Sequence, residues 1–233
     1  YALSLVNTGT AAVTDYTVTD NLGGYTVGAN TVYPLAYNTG TVRYYINGVL
    51  QTAPTVTAGP PLTVTGLTIP AGGSAVLIYE TTATPVAPLA TGSSITNTAT
   101  ITGGGLTNPI TAQATVETAT SADLTISKAL SPTTVTENGQ ITYTFVISNT
   151  GNTEATATGN VVVTDTFAPI LRNIAVTYNG TAWTEGTNYT YNAATGVFTT
   201  LAGQITVPAA TFTQNTDGTF TVTPGTATLV ITG

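Results

Sequence analysis

In the stretch ITYTFVIS, residues 141–148, Ile141, Tyr143, Phe145 and Ile147 fall on one face, while Thr142, Thr144 and Ser148 share the other with Val146. A period of two is that of a strand with one face buried. Runs of this kind recur along the whole chain. Between them stand Asn47-Gly48, Asn138-Gly139, Asn179-Gly180 and Asp217-Gly218, pairs able to supply the positive φ angles of tight turns. No segment carries a helical period with caps. Short strands separated by turn signals predict an all-β protein built as an antiparallel β-sandwich.

The strands are written twice. YALSLVNTG at Tyr1 returns as YTFVISNTG at Tyr143, so that Asn7 answers Asn149. TVTDNL around Asp20 then answers VVTDTF around Asp165, with extra residues in the second copy's NTEATATGN. YINGVLQT answers TYNGTAWT, LTIPAGG answers ITVPAAT, and AVLIYET answers ATLVITG, all in the same order. Ordered repetition of this kind marks tandem units. The composition shift ETATSAD at residues 117–123 places a boundary there, giving domains 1–119 and 120–233. The copies are cut differently: ADLTISKALSPTTVTENGQ precedes the second copy with no counterpart before Tyr1, and SSITNTATITGGG with ITAQATVET completes the first with no counterpart before Gly233. The expectation is a first sandwich lacking its opening strand and a second lacking its closing strand or strands. An open sandwich exposes an unpaired edge, so each gap invites a strand from a neighbouring subunit, unless one long array runs through many copies.

Composition narrows the function. Charged residues make up 6% of the chain, against roughly a quarter in an ordinary globular protein. Apolar residues reach 42%, too many for a disordered chain. The only cations are Arg43, Lys128 and Arg172 against a net charge of −7, which argues against a nucleic-acid partner because phosphate binding needs clustered cations. No run is long enough to predict a membrane span. With no Cys, disulfides play no part. So few Lys and Arg leave little for trypsin-like proteases to cut, which suits an extracellular place.

DLTISKALSPTTVTENGQITYTFVISNTGN, VVVTDTF, IPAGGSAVLIYE and ITNTATIT, taken in order, resemble the bacterial conserved-repeat surface domain known as domain of unknown function eleven. The resemblance spans essentially the whole chain as two copies. It implies two tandem immunoglobulin-like sandwiches of a secreted, cell-surface or spore-appendage protein, similar to clostridial surface proteins, with no enzymatic activity and no cofactor. The expected partner is self, as neighbouring subunits of a filament. The alternative is an adhesin that holds a host glycan or protein.

Candidate chemistry is sparse. Without His or Cys the usual nucleophile and base pairs cannot form, and Lys128 lies in no S-x-x-K arrangement. Asp15 and Asp20 in DYTVTD belong to no calcium loop, so a metal site is not expected and Asp20 and Asp165 read as strand-end turn acceptors. Tyr44, Tyr45 and Trp183 flank Asn-Gly turns, where exposed rings would stack on sugars. One set of polar residues stands apart. Alternation puts Lys128 on the face of Leu124, Ile126 and Leu130, Asn97 with Ile95, Ala99 and Ile101, and Asp165 with Val161 and Val163. Polar groups facing a core must be paired. Lys128 is expected to approach Asp165, either as a salt bridge or as the amine of an isopeptide crosslink to an Asn equivalent to Asn97. In the crosslink a desolvated amine attacks the carboxamide, a carboxyl shuttles the proton, and ammonia leaves.

Overall fold

The structure, a computed structural model, describes all residues 1–233. Strands make up 51% of the chain and there is no α-helix, as the alternation predicts. A single 3-10 turn, Ala157–Gly159, falls in the second copy's extra residues. The chain divides into two compact units: Tyr1–Thr118 with Gln214–Thr221, and Ala119–Thr213 with Val222–Gly233. A short segment late in the sequence thus groups with the first unit.

The first copy forms β1 (Ala2–Val6), β2 (Val13–Asp20), β3 (Tyr25–Val27), β4 (Asn30–Val32), β5 (Leu35–Tyr37), β6 (Arg43–Ile46), β7 (Val49–Leu50), β8 (Thr55–Thr57), β9 (Leu62–Ile69), β10 (Ser74–Ile78), β11 (Thr81–Ala83), β12 (Ser94–Gly103) and β13 (Ile110–Glu117). One sheet has the order β1-β10-β6-β7 and the other β13-β12-β2-β9-β8, with small pairs β11-β5 and β3-β4 beside them. All pairings are antiparallel. The core lies between the two sheets: Leu77 from one meets Tyr16, Val18, Leu62 and Val64 from the other.

The second copy forms β14 (Leu124–Ser131), β15 (Thr142–Asn149), β16 (Thr164–Thr166), β17 (Ala175–Tyr178), β18 (Thr181–Trp183), β19 (Tyr189–Asn192), β20 (Val197–Thr200), β21 (Thr211–Gln214), β22 (Phe220–Thr223) and β23 (Gly225–Thr232). Its larger sheet runs β14-β15-β23-β17-β18, a smaller one β16-β20-β19, and β21 pairs with β22. Tyr143, Phe145 and Ile147 of β15 pack against Phe167, Phe198, Ile205 and Val207 across the core.

The turn signals act unevenly. Asn47 and Gly48 both take positive φ (48° and 80°), as do Asn179 and Gly180 (48° and 79°), so β6-β7 and β17-β18 close as matched hairpins. The Asn side chain finishes each turn: Asn47 Oδ1 accepts the Ser74 N–H at 2.9 Å, and Asn179 Oδ1 accepts that of Thr228 at 2.8 Å. At Asn138-Gly139 only the Asn is left-handed, and at Asp217-Gly218 only the Gly.

Two sheet edges separate the copies. β14 lies along β15 through eight register pairs, from Leu124 opposite Asn149 to Ser131 opposite Thr142. Nothing lies along the corresponding edge of β1. Conversely β2 is flanked by β12 and β9, whereas its counterpart β16 pairs with β20 alone. Burial reports the difference: Tyr143, Phe145 and Ile147 are buried, while Leu3 and Leu5 at the same places on β1 are only half-buried. The strands that would fill such gaps, β14 and β12-β13, are each already paired within their own copy.

Candidate functional site

The Asn residues that align the copies are structural anchors. In each copy the side-chain amide bridges to carbonyls of neighbouring loops. Asn7 Nδ2 donates to the carbonyls of Ala11 and Pro70 at 2.8 and 3.1 Å, and Asn149 Nδ2 to those of Thr153 and Pro208 at 2.8 and 3.0 Å. The carboxamide oxygens accept from Gly9 and Gly151 at 3.0 and 2.9 Å. Asn149 Oδ1 also accepts the Asp123 N–H at 3.0 Å, tying the start of β14 to the core edge. The chain lays no such strand against Asn7.

Beyond this anchor each copy holds an aspartate, Asp20 at the end of β2 and Asp165 in the middle of β16. Asp20 is 1% exposed. Its Oδ1 accepts the Leu22 N–H at 2.8 Å, and its Oδ2 accepts Asn97 Nδ2 at 2.8 Å and the Tyr79 hydroxyl. Asn97, 3% exposed, uses its oxygen to accept the Gly23 N–H at 3.0 Å. A buried carboxylate is tolerated because these donors replace water. Burial, and after it the Asp20 hydrogen bond, pushes the Tyr79 phenol well above its ordinary range. Tyr1 stacks on Tyr79 with ring centroids 5.6 Å apart, and its hydroxyl is buried without a hydrogen-bond partner. Burial, then the Asp20 charge, raises the Tyr1 phenol too. A small cavity of about 70 Å³ opens beside this cluster, lined by Tyr1, Leu3, Asp20, Tyr79, Asn97 and Ala112 among others. A larger one, about 320 Å³, continues along β1 past Leu5 and Asn7 to Ile110.

In the second copy the aspartate has a different companion. Lys128 Nζ stands 2.5 Å from Asp165 Oδ2, with the two side chains 40% and 19% exposed. That oxygen has no other hydrogen-bonding partner. The ammonium also lies over the rings of Tyr143, Phe145 and Phe167, at 4.7, 5.6 and 5.7 Å from their centroids, each within cation–π reach. Of the sequence-predicted residues, the fold therefore brings Lys128 to Asp165 and Asn97 to Asp20, as two separate pairs. One copy presents Asp and Asn without Lys, the other Lys and Asp without Asn.

The aromatic candidates fare differently. Tyr44 is 4% exposed, its hydroxyl spent on the Thr68 carbonyl at 2.7 Å and on Tyr16, so it offers no face to a sugar. Trp183 stacks on Tyr178 at 4.8 Å, and Tyr45 is half-buried. Asp15 is exposed and Asp20 buried, so they do not converge. Sequence reasoning missed Tyr79 and Tyr1. The signal was present in the mismatch between copies: Tyr79 stands in AVLIYET where the second copy has Ile231, and a tyrosine among core residues needs a partner for its hydroxyl.

No protein-family model, curated protein or solved structure matches this chain.

Proposed function

We propose that the chain is a structural module of an extracellular filament, spore appendage or surface stalk, built of immunoglobulin-like repeats of which it carries two. The observation that carries this reading is the ordered repetition of the same strand motifs, with the same Asn anchor, in both copies. They also share an Asp-centred site, completed by Asn97 in the first copy and by Lys128 in the second. Repeats completed by strands of their neighbours add head to tail, and such contacts build fibres unless the geometry closes a ring. The order of surface-domain motifs and the charge-poor, Thr-rich sequence support a place outside the cell. In this reading the role is mechanical. Antibodies against the chain, applied to intact cells and spores under the electron microscope, test the reading. Label along filaments or stalks is the expected result; label confined to the cell interior overturns it.

A further inference from the structure

We infer that the outer face of the β13-β12-β2-β9-β8 sheet is a lateral contact surface for a second copy of this chain. Side-by-side contact of this kind bundles fibres, so the surface rests on the filament reading above for its use. Its ground is an array of threonines. In the register of the sheet Thr111, Thr100, Thr19, Thr63 and Thr57 stand abreast, one from each strand. Two residues along, a second row sets Thr102 of β12 beside Thr17 of β2 and Thr65 of β9 beside Thr55 of β8, on either side of the β2-β9 bulge. Neighbouring strands lie about 4.8 Å apart and alternate residues about 6.8 Å apart along a strand, so methyls and hydroxyls form a grid. These side chains are exposed or half-buried, while Tyr16, Val18, Leu62 and Val64 at the alternate positions form the core beneath. Outer sheet faces ordinarily carry charges that keep copies apart. Here the five strands hold no cation and three carboxylates: Asp20 turns inward, and Asp15 in the bulge and Glu117 at the end of β13 stand at the margin of the array.

Charge and hydrogen bonding together name the occupant. A chain of net charge −7 repels its own kind wherever carboxylates face each other, and the threonine face lets two copies meet without that opposition. A hydroxyl both donates and accepts, so a face of hydroxyls is complementary to itself, as a face of carboxylates or ammonium groups is not. On this face only Thr96 with Thr115, at 3.4 Å, and Gln113 with Thr98, at 3.2 Å, pair side chain to side chain. The hydroxyls of the two rows stay free for another molecule. Identical faces meet about a two-fold axis, where every donor and acceptor pair occurs twice. Five strands about 20 Å long cover on the order of 500 Å² per partner, short of the ~800 Å² per partner of a stable complex. Two chains therefore associate weakly, and repeats held in line multiply the contact. The second copy has the same character on the outer face of its own larger sheet. Ser131, Thr142 and Thr232 stand abreast there, and the outward positions of β14, β15 and β23 hold no charge.

Sedimentation velocity of the full chain, from micromolar to millimolar concentration, tests the surface. A monomer–dimer equilibrium is expected, with a dissociation constant on the order of 0.1–1 mM for a contact of this size. Thr19→Glu, on the central strand, sets like charges near each other across the two-fold axis and should weaken dimerisation about tenfold or more. Thr63→Glu, on the neighbouring strand, is the second variant and should do likewise. Both positions point away from the core, and thermal melts check that each variant folds. Leu50→Glu adds the same charge on β7 of the other sheet, where Leu50 is 56% exposed, and should leave the dimer unchanged. Raising salt should tighten the dimer, because salt screens the repulsion between chains of charge −7 and the contact has no ion pair to lose. A chain that stays monomeric throughout, as it would if the face served a glycan instead, overturns the inference. So does a dimer that ignores both threonine variants, is broken by Leu50→Glu, or weakens in salt. Filament labelling on cells is read independently of sedimentation, so either reading can fail while the other stands.

Discussion

Asp20 shows how one side chain sets the demands on its neighbours. Its carboxylate is held by a backbone N–H at Oδ1 and by a carboxamide and a phenol at Oδ2, so deleting either side-chain donor leaves Oδ2 with one buried partner in place of two. Asn97→Ala removes one donor and also strands the Gly23 N–H, and should cost about 1–3 kcal/mol of stability in denaturant titrations. A loss within experimental error would mean that water replaces the side chain fully. The phenols set a pH limit. Tyr79 is raised from its ordinary 10.0 by burial first and its bond to Asp20 second, and Tyr16 is raised by burial and its bond to Tyr44. A raised folded value gives stability that is complete below the unfolded value and drains away as pH climbs beyond it. Thermal melts should therefore hold level from neutral pH to about pH 10 as far as these groups decide, then fall with further alkali. Tyr79→Phe should blunt that fall. An unchanged alkaline slope in the variant would assign the loss to other groups.

At the scale of the strand, the contrast between β1 and β15 isolates what a neighbour contributes. The same alternating apolar residues are buried in one and half-buried in the other, because β14 flanks only the second. β14 is itself thinly covered: Ile126 and Leu130 are 54% and 43% exposed on the face that carries Lys128. Its ion pair is correspondingly half in water, where such pairs contribute little and salt screens them. Lys128→Ala should shift stability by no more than about 1 kcal/mol, with the difference shrinking in high salt. A loss several times larger would show that the aromatic rings beneath the ammonium, rather than the carboxylate, fix β14. Period two and paired turn residues made the strands legible from sequence; of the polar residues that alternation put on core faces, Asn97 is buried and Asp165 half-buried, while Lys128 stays exposed on the thinly covered face of β14. What alternation cannot supply is the distance across two sheets. Tyr79 approaches Asp20 only because β10 and β2 lie in facing sheets, and the burial of Tyr44 depends on the Thr68 carbonyl from the strand opposite.

Over the whole molecule the two hydrophobic cores draw on separate sets of residues, one from each copy. Leu77, fully buried in the first, should cost about 2–5 kcal/mol when cut to alanine. Calorimetry should then show one transition moving down while the other stays, with Leu229→Ala in the second core giving the reverse. A single transition displaced by either substitution would mean that the copies melt together.

The β14-β15-β23 arrangement has a mechanical consequence. β14 and β23 both run antiparallel to β15 and so lie parallel to each other on either side of it, each joined to it through eight register pairs. Tension applied at Leu124 and Thr232 would pull these strands in opposite directions along their own length. Every ladder bond on a side would then share the load, instead of opening one after another as in a zipper. In single-molecule stretching, force applied between Leu124 and Thr232 should rupture the second unit at a higher value than force applied across one hairpin, such as between Thr142 and Ser131. Equal rupture forces in the two directions would remove load-bearing from the reasons this sheet is ordered as it is.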